Sequence, residues 1–124
     1  MVRNLSDSKS LTRVFVATED NKVIGFCAVC PCRDSDLGKE FGELGGIYVD
    51  QHYMGKGAGT KLLEYGLKEL KNMGYTKATL WVLASNAKTI KWYESRGWRV
   101  EGKTKVDKRD TFEMNETRYI TDLK

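Results

Sequence analysis

The stretch Ile47-Tyr48-Val49-Asp50-Gln51-His52-Tyr53-Met54-Gly55-Lys56-Gly57-Ala58-Gly59-Thr60-Lys61-Leu62-Leu63 decides how the rest of the chain is read. A β-branched run enters a polar turn, Gly55, Gly57 and Gly59 alternate there with Lys56 and Ala58, and a helical pattern begins at once. The first amides of a helix lack intrahelical partners and carry the positive end of its dipole. Glycines let consecutive N–H groups approach phosphate oxygens, and Lys56 adds charge. Gly55 to Thr60 is therefore an anion cradle by construction. The same residues also suit a tight strand-to-helix turn that uses glycine for its dihedrals, and the turn alone leaves both readings open. Two other phosphate loops are excluded. A Walker loop needs Ser or Thr after Gly-Lys, where Gly57 follows Lys56. A Rossmann turn needs a third glycine, where Leu62 stands, and an acidic end to the next strand, which closes instead in Leu83-Ala84-Ser85-Asn86.

Before the cradle, Leu44-Gly45-Gly46-Ile47-Tyr48-Val49 reads as a strand whose two glycines weaken it unless a backbone or ligand approaches closely. Upstream, Arg13 to Thr18 and Lys22 to Val29 form strands joined through Glu19-Asp20-Asn21, a hairpin. The segment from Pro31 to Gly42 reads as a loop. Downstream, Leu62, Leu63, Gly66, Leu67, Leu70 and Met73 mark an amphipathic helix with Gly74 as its C-terminal glycine. Ala78 to Leu83 is an uncharged, central strand, and Ser85-Asn86 open a short helix ended by Gly97. Two strands follow, around Trp98 to Glu101 and Phe112 to Ile120, joined by a charged turn. The order β-β-β-α-β-α-β-β gives one α/β domain over residues 1–124. Its mixed, mostly antiparallel sheet has a parallel pair, 44–49 with 78–83, joined by a right-handed helical crossover.

Composition excludes some classes of function. No apolar run reaches the roughly 18 residues of a membrane span, and Met1 to Ser8 lack a secretory signal's apolar stretch. The expectation is a cytoplasmic protein without membrane partners. The net charge of +4 comes from scattered lysines, which argues against a nucleic-acid arm and suits a small anionic ligand. Cys27, Cys30 and Cys32 lack a fourth zinc ligand nearby and end a strand-like run, so they read as thiols of a reducing compartment, with no metal expected. His52 reads as an exposed loop histidine.

The stretch from Ile47 to Leu63 resembles the cofactor motif of the GCN5-related N-acetyltransferases, Gln/Arg-x-x-Gly-x-Gly/Ala after a strand. A second match, Asn86 to Trp98, resembles that family's Asn…Ala…Tyr-Glu…Gly-Phe helix, and Glu116 to Leu123 is similar to the last strand of many members. The resemblance covers nearly the whole chain from Val14 onward. It implies acetyl-CoA as acetyl donor and a primary amine as acceptor, joined in a ternary complex without an acyl-enzyme. Backbone groups of Ile47, Tyr48 and Val49 would pair with the pantetheine arm beside a splayed strand 78–83. Amides of Gly55, Lys56, Gly57, Ala58, Gly59 and Thr60 would hold the pyrophosphate, with Met54 in the place of the motif's Gln/Arg. Asn86 would hydrogen-bond the pantetheine arm. Tyr93 stands where the family often places a tyrosine that hydrogen-bonds the thioester sulfur and protonates the departing thiolate; a core tyrosine is the competing reading. Glu43 matches the position of a general-base glutamate, against a plain exposed glutamate at a strand start. Such a base is needed because a lysine-type amine is protonated below a pKa of about 10.4.

Three departures bear on the acceptor. Met54 removes one polar contact. Trp81-Val82-Leu83 lacks the glutamate that the ribosomal-protein acetyltransferase branch carries before its Ala-Ser-Asn. Only twelve residues precede Arg13, where the family usually has a strand and two helices walling the acceptor pocket, so that strand and those helices are expected to be missing. An open edge there predicts a homodimer. Three functions follow: an N-acetyltransferase acting on a small molecule or peptide, a truncated, non-catalytic CoA-binding module of the same fold, and a nucleic-acid-binding domain, which lacks a clustered basic face.

Overall fold

A computed structural model describes residues 1–6, 9–108 and 110–124. Asp7 and Ser8 of the segment read for a signal, and Arg109 of the expected charged turn, lie outside them. The elements are β1 (Val2–Asn4), β2 (Arg13–Glu19), β3 (Lys22–Pro31), β4 (Phe41–Val49), a 3-10 turn (Gln51–Tyr53), α1 (Ala58–Asn72), β5 (Lys77–Leu83), α2 (Ala87–Glu94), β6 (Arg99–Lys108) and β7 (Glu113–Asp122). One seven-stranded sheet has the order β1-β2-β3-β4-β5-β7-β6. All neighbours pair antiparallel except β4 and β5, as the mixed-sheet reading requires.

Local chemistry accounts for the hairpin and the helix ends. Asp20 and Asn21 both take positive φ, 51° and 64°, and form the two-residue turn whose twist matches the flanking strands. At the end of α1, Gly74 has φ 101°; its N–H donates to the Lys71 carbonyl at 3.0 Å and that of Tyr75 to Leu70 at 3.1 Å. After α2, Gly97 has φ 91°, its N–H donates to Glu94 at 3.2 Å and that of Trp98 to Tyr93 at 3.2 Å. Both ends are Schellman caps, and each glycine supplies the left-handed residue. The second cap also turns Trp98 back under Tyr93.

Helix α1 buries Leu62, Leu63, Gly66 and Leu70. A Cβ on Gly66 would stand 2.8 Å from Cys27 Sγ and 3.1 Å from Val29 Cγ1. The glycine inside this helix is thus a packing requirement that outweighs its poor helix propensity. The core continues through Phe15, Ala17, Ile24, Leu44, Ala78, Leu80, Val82, Tyr93, Trp98 and Tyr119.

Four expectations need correction. Strand β4 begins at Phe41, three residues before the predicted Leu44, and β3 runs on to Pro31, because the two strands stay paired from Cys30↔Glu43 to Pro31↔Gly42. Glu43 therefore lies inside a strand, 2% exposed, rather than at an exposed strand start. The parallel ladder joins 41–43 to 77–79, three residues before the expected segment, so residues 44–49 have no partner on β5 and the expected splay begins as early as Leu44. Finally, the first strand is present: β1 pairs with residues 15–17 of β2, and Leu5 N–H to Val14 and Thr18 N–H to Met1 extend the contact. The expected open edge of β2 is covered. Among the described residues between β1 and β2 there is no helix.

Candidate active site

The splay between β4 and β5 has a visible cause. Ala28 faces Gly46 while Val29 faces Leu44, so Gly45 is the extra residue of a bulge in β4. A Cβ there would stand 3.5 Å from the Ala28 carbonyl. The bulge lies just beyond the last paired residue, Glu43. From there β4 diverges, and its edge toward β5 is free of a strand partner as far as Val49.

The divergence opens into a cavity of about 780 Å³ lined by Ile47, Tyr48, Val49, the 53–60 turn and one side of α2. Of the residues singled out from sequence, Ile47, Tyr48, Val49, Met54, Gly55, Gly57, Gly59, Thr60 and Tyr93 line it. Gly55 and Gly57 have φ 81° and 88°, a conformation that other residues adopt at a cost. Gly57 caps α1, no side chain bonds the first amides, and no acidic residue occupies the first turn. The helix end therefore presents unneutralised N–H groups toward the cavity. Gly59 lies close under α2, its missing Cβ 3.5 Å from Trp92 Cζ2.

Tyr93 is 6% exposed and held edge-on between Trp92, at 5.2 Å, and Trp98, at 5.8 Å. Burial pushes its hydroxyl up to about 12, with the Cys27 thiol adding to the effect. The hydroxyl is therefore neutral at any working pH. The buried Cys27 thiol is likewise pushed up to about 12, and burial also raises Cys30 and Cys32. Thiols held protonated in this way are poor nucleophiles and poor metal ligands.

Asn86 and Glu43 lie elsewhere. Asn86 caps α2, its Oδ1 accepting from Thr89 N–H at 3.3 Å, and it does not line the cavity. Gly42 faces Leu70 of α1, so Glu43, the next residue along the strand, faces the opposite side of the sheet. There its carboxylate accepts from Arg33 N–H at 3.0 Å, Nε at 3.2 Å and Nη2 at 2.6 Å. The same side carries Arg118, 1% exposed. Its guanidinium donates to Asp36 at 2.9 and 2.7 Å, to Asp34 at 3.1 Å and to Glu101 at 2.9 Å. Trp81 Nε1 donates to Asp34 at 3.0 Å. The loop between β3 and β4 is thereby bound across the sheet face at the splay.

Sequence reading missed the side of α2 that completes the cavity, where Lys88, Lys91, Trp92 and Arg96 join the lining. Their spacing of three and four residues is the available signal. It also missed Tyr53 beneath Lys56, whose Nζ stands 5.5 Å from the ring centre. The lining fits an acyl-CoA in chemistry: an apolar slot beside an unpaired strand edge, exposed helix amides, and a basic rim.

A sequence-family model described as Acetyltransferase (GNAT) family matches residues 3–98. YuaI of Bacillus subtilis (strain 168), an uncharacterized N-acetyltransferase, is 36% identical over 84 residues, covering 67% of this chain and 48% of that protein. The chain thus spans about half the length of this curated relative. Among solved structures, an N-acetyltransferase from Staphylococcus aureus Mu50 superposes with a TM-score of 0.78 at 29% identity, over 91% of this chain and 68% of that one. The putative acetyltransferase yncA from Salmonella typhimurium, solved with its cofactor acetyl-CoA, superposes with a TM-score of 0.76 at 23% identity, over 91% and 65%. At that identity the likeness is one of fold.

Proposed function

The chain belongs to the acetyltransferase (GNAT) family, and from that premise we propose that it is an N-acetyltransferase carrying the acetyl group of acetyl-CoA directly to a primary amine of a small molecule or peptide. The observation that supports this most is the cavity running from the unpaired edge at Ile47–Val49 to the cradle at Gly55–Thr60. It offers strand-like backbone groups to the amides of a pantetheine arm and helix amides to a pyrophosphate. The acetate carrier supplies a thioester, whose C–S bond breaks as the amine nitrogen forms the new C–N bond. Tyr93 is the group in the cavity suited to donate a hydrogen bond to the departing sulfur. Bringing donor and acceptor together supplies much of the acceleration.

Glu43 is proposed as the general base that takes the amine proton. For this the Arg33 guanidinium has to leave the carboxylate, and its side chain, 70% exposed, reaches water by rotation. Titration calorimetry with acetyl-CoA, followed by transfer assays over an amine panel, tests both steps. Glu43→Gln is expected to lower turnover by about 100-fold with little change in acetyl-CoA affinity. Unchanged turnover across pH removes Glu43 from the chemistry.

The absence of helices among the described residues between β1 and β2 favours a second reading, a CoA-binding module without transfer. Tight acetyl-CoA binding with no transfer to any amine on the panel would select it.

A cytoplasmic setting is proposed, consistent with three free cysteines, two of them buried. The homodimer is retained as a proposal, now with β1 as the outer edge available to a partner strand. Light scattering at high concentration is expected to give twice the chain mass, and a monomer would end that idea.

A further inference from the structure

Arg96 lies just beyond α2, at an unspecified position within the second motif, between its Tyr-Glu and its glycine. Its guanidinium is 4.1 Å above the Trp92 ring. Nη2 donates to Thr60 Oγ1 at 2.8 Å, and Nη1 donates to the Trp92 carbonyl and Ser95 Oγ, each at 3.1 Å. A guanidinium has five N–H donors in a fixed fork. Three are engaged, and among the described residues Nε–H and one Nη2–H have no partner. The side chain is therefore held in one orientation by the ring and by α1, with two donors left over. That is the arrangement that receives a phosphate through paired hydrogen bonds.

Its position narrows which phosphate. Thr60 is the third residue of α1, so Arg96 stands beside the cradle, whose own amides already serve one anionic group. Lys88 and Lys91 line the same cavity; with Trp92 and Arg96 they follow three- and four-residue steps and share one side of the helix. Three basic side chains thus line this side of the cavity in addition to the helix amides of the cradle. Resting on the acetyl-CoA reading above, we propose that Arg96, supported by Lys88 and Lys91, seats the ribose 3′-phosphate of the cofactor. The protein would then distinguish acetyl-CoA from a donor lacking that phosphate.

Titration calorimetry of the intact chain with acetyl-CoA and with acetyl-3′-dephospho-CoA tests this. The wild type is expected to bind acetyl-CoA about tenfold more tightly, equivalent to 1.4 kcal/mol. Arg96→Met, an exposed substitution that keeps contact with Trp92, should bring the two affinities together by weakening acetyl-CoA alone. Lys88→Met and Lys91→Met should each narrow the ratio by a smaller factor. Equal affinities in the wild type overturn the inference and leave the acetyl-CoA reading standing. So does an Arg96→Met variant that loses both ligands equally, which would place the guanidinium on the pyrophosphate or make it a structural tie. Binding of neither compound by the wild type overturns the acetyl-CoA reading, and the inference with it.

Discussion

Tyr93→Phe is expected to reduce turnover at saturating acetyl-CoA by about 100-fold or more and to leave cofactor affinity within about twofold. The substitution removes one oxygen and keeps the ring. The edge contacts with Trp92 and Trp98 and the buried position therefore persist, and folding is little affected. In the proposed role the lost group acts only as charge develops on the departing sulfur, so the loss falls on kcat. Burial raises the tyrosine hydroxyl to about 12, well above an ordinary thiol near 8.5. Full proton transfer to a solvated thiolate would be unfavourable, but a thiolate formed in the same enclosed site is also more basic. A hydrogen bond that strengthens toward transfer fits both facts. Because the folded-state value is raised, the donor stays protonated as pH rises, and no loss of activity from Tyr93 is expected below about pH 12. A Phe variant as fast as wild type would make Tyr93 a core tyrosine only.

Arg118→Met should destabilise the fold by roughly 2–4 kcal/mol and lower Tm on the order of 10 °C, measured by thermal unfolding at pH 7. The side chain is 1% exposed and bonds three carboxylates. Its removal leaves Asp34, Asp36 and Glu101 without the positive charge that unites them, and Lys103, at 3.3 Å from Asp36, replaces only part of it. The carboxylates are partly exposed, so water offsets some of the loss, which keeps the figure below that of a fully buried pair. The pH dependence follows from the same contacts. Arg118 holds Asp36 and Glu101 below their ordinary values of 3.8 and 4.5. The folded state binds these protons more weakly than the unfolded one. The stability they contribute is therefore complete above about pH 5 and is lost as the pH falls through 4 and below. The difference between wild type and Arg118→Met should narrow between about pH 5 and pH 3. A constant difference over that range would show that packing, not charge, makes Arg118 important. Since the network also fixes the loop carrying Arg33, the variant should alter amine acetylation more than acetyl-CoA binding.

Much of the fold was legible because it is encoded over a few residues. Gly74 and Gly97 announced helix ends, and their positive φ values, 101° and 91°, are why glycine stands there. The steps from Leu62 to Leu70 placed α1, since one helical face must meet the sheet. The glycine turn before α1 was legible for the same reason. Gly55 and Gly57 form the turn, and α1 starts at Ala58. Strand ends were less legible. Phe41 to Glu43 carry two charge-neutral residues and a glutamate that look like loop, and only pairing with Cys30 and Pro31 on one side and 77–79 on the other makes them strand.

The sequence alone determined the order of the elements from β2 onward, the helix ends and the glycine turn before α1, because dihedral preference and hydrophobic period act between near neighbours. The tertiary structure alone decided that β4 leaves β5 after Glu43, that Arg33 covers Glu43, and that Arg96 closes the cradle against Trp92. Arg118 meets Asp34 across 84 residues, and Arg96 meets Thr60 across 36. Such contacts leave no local periodicity to read. They exist only because the sheet brings distant segments to one face, where lowered dielectric makes each ion pair stronger and each unpaired charge more costly.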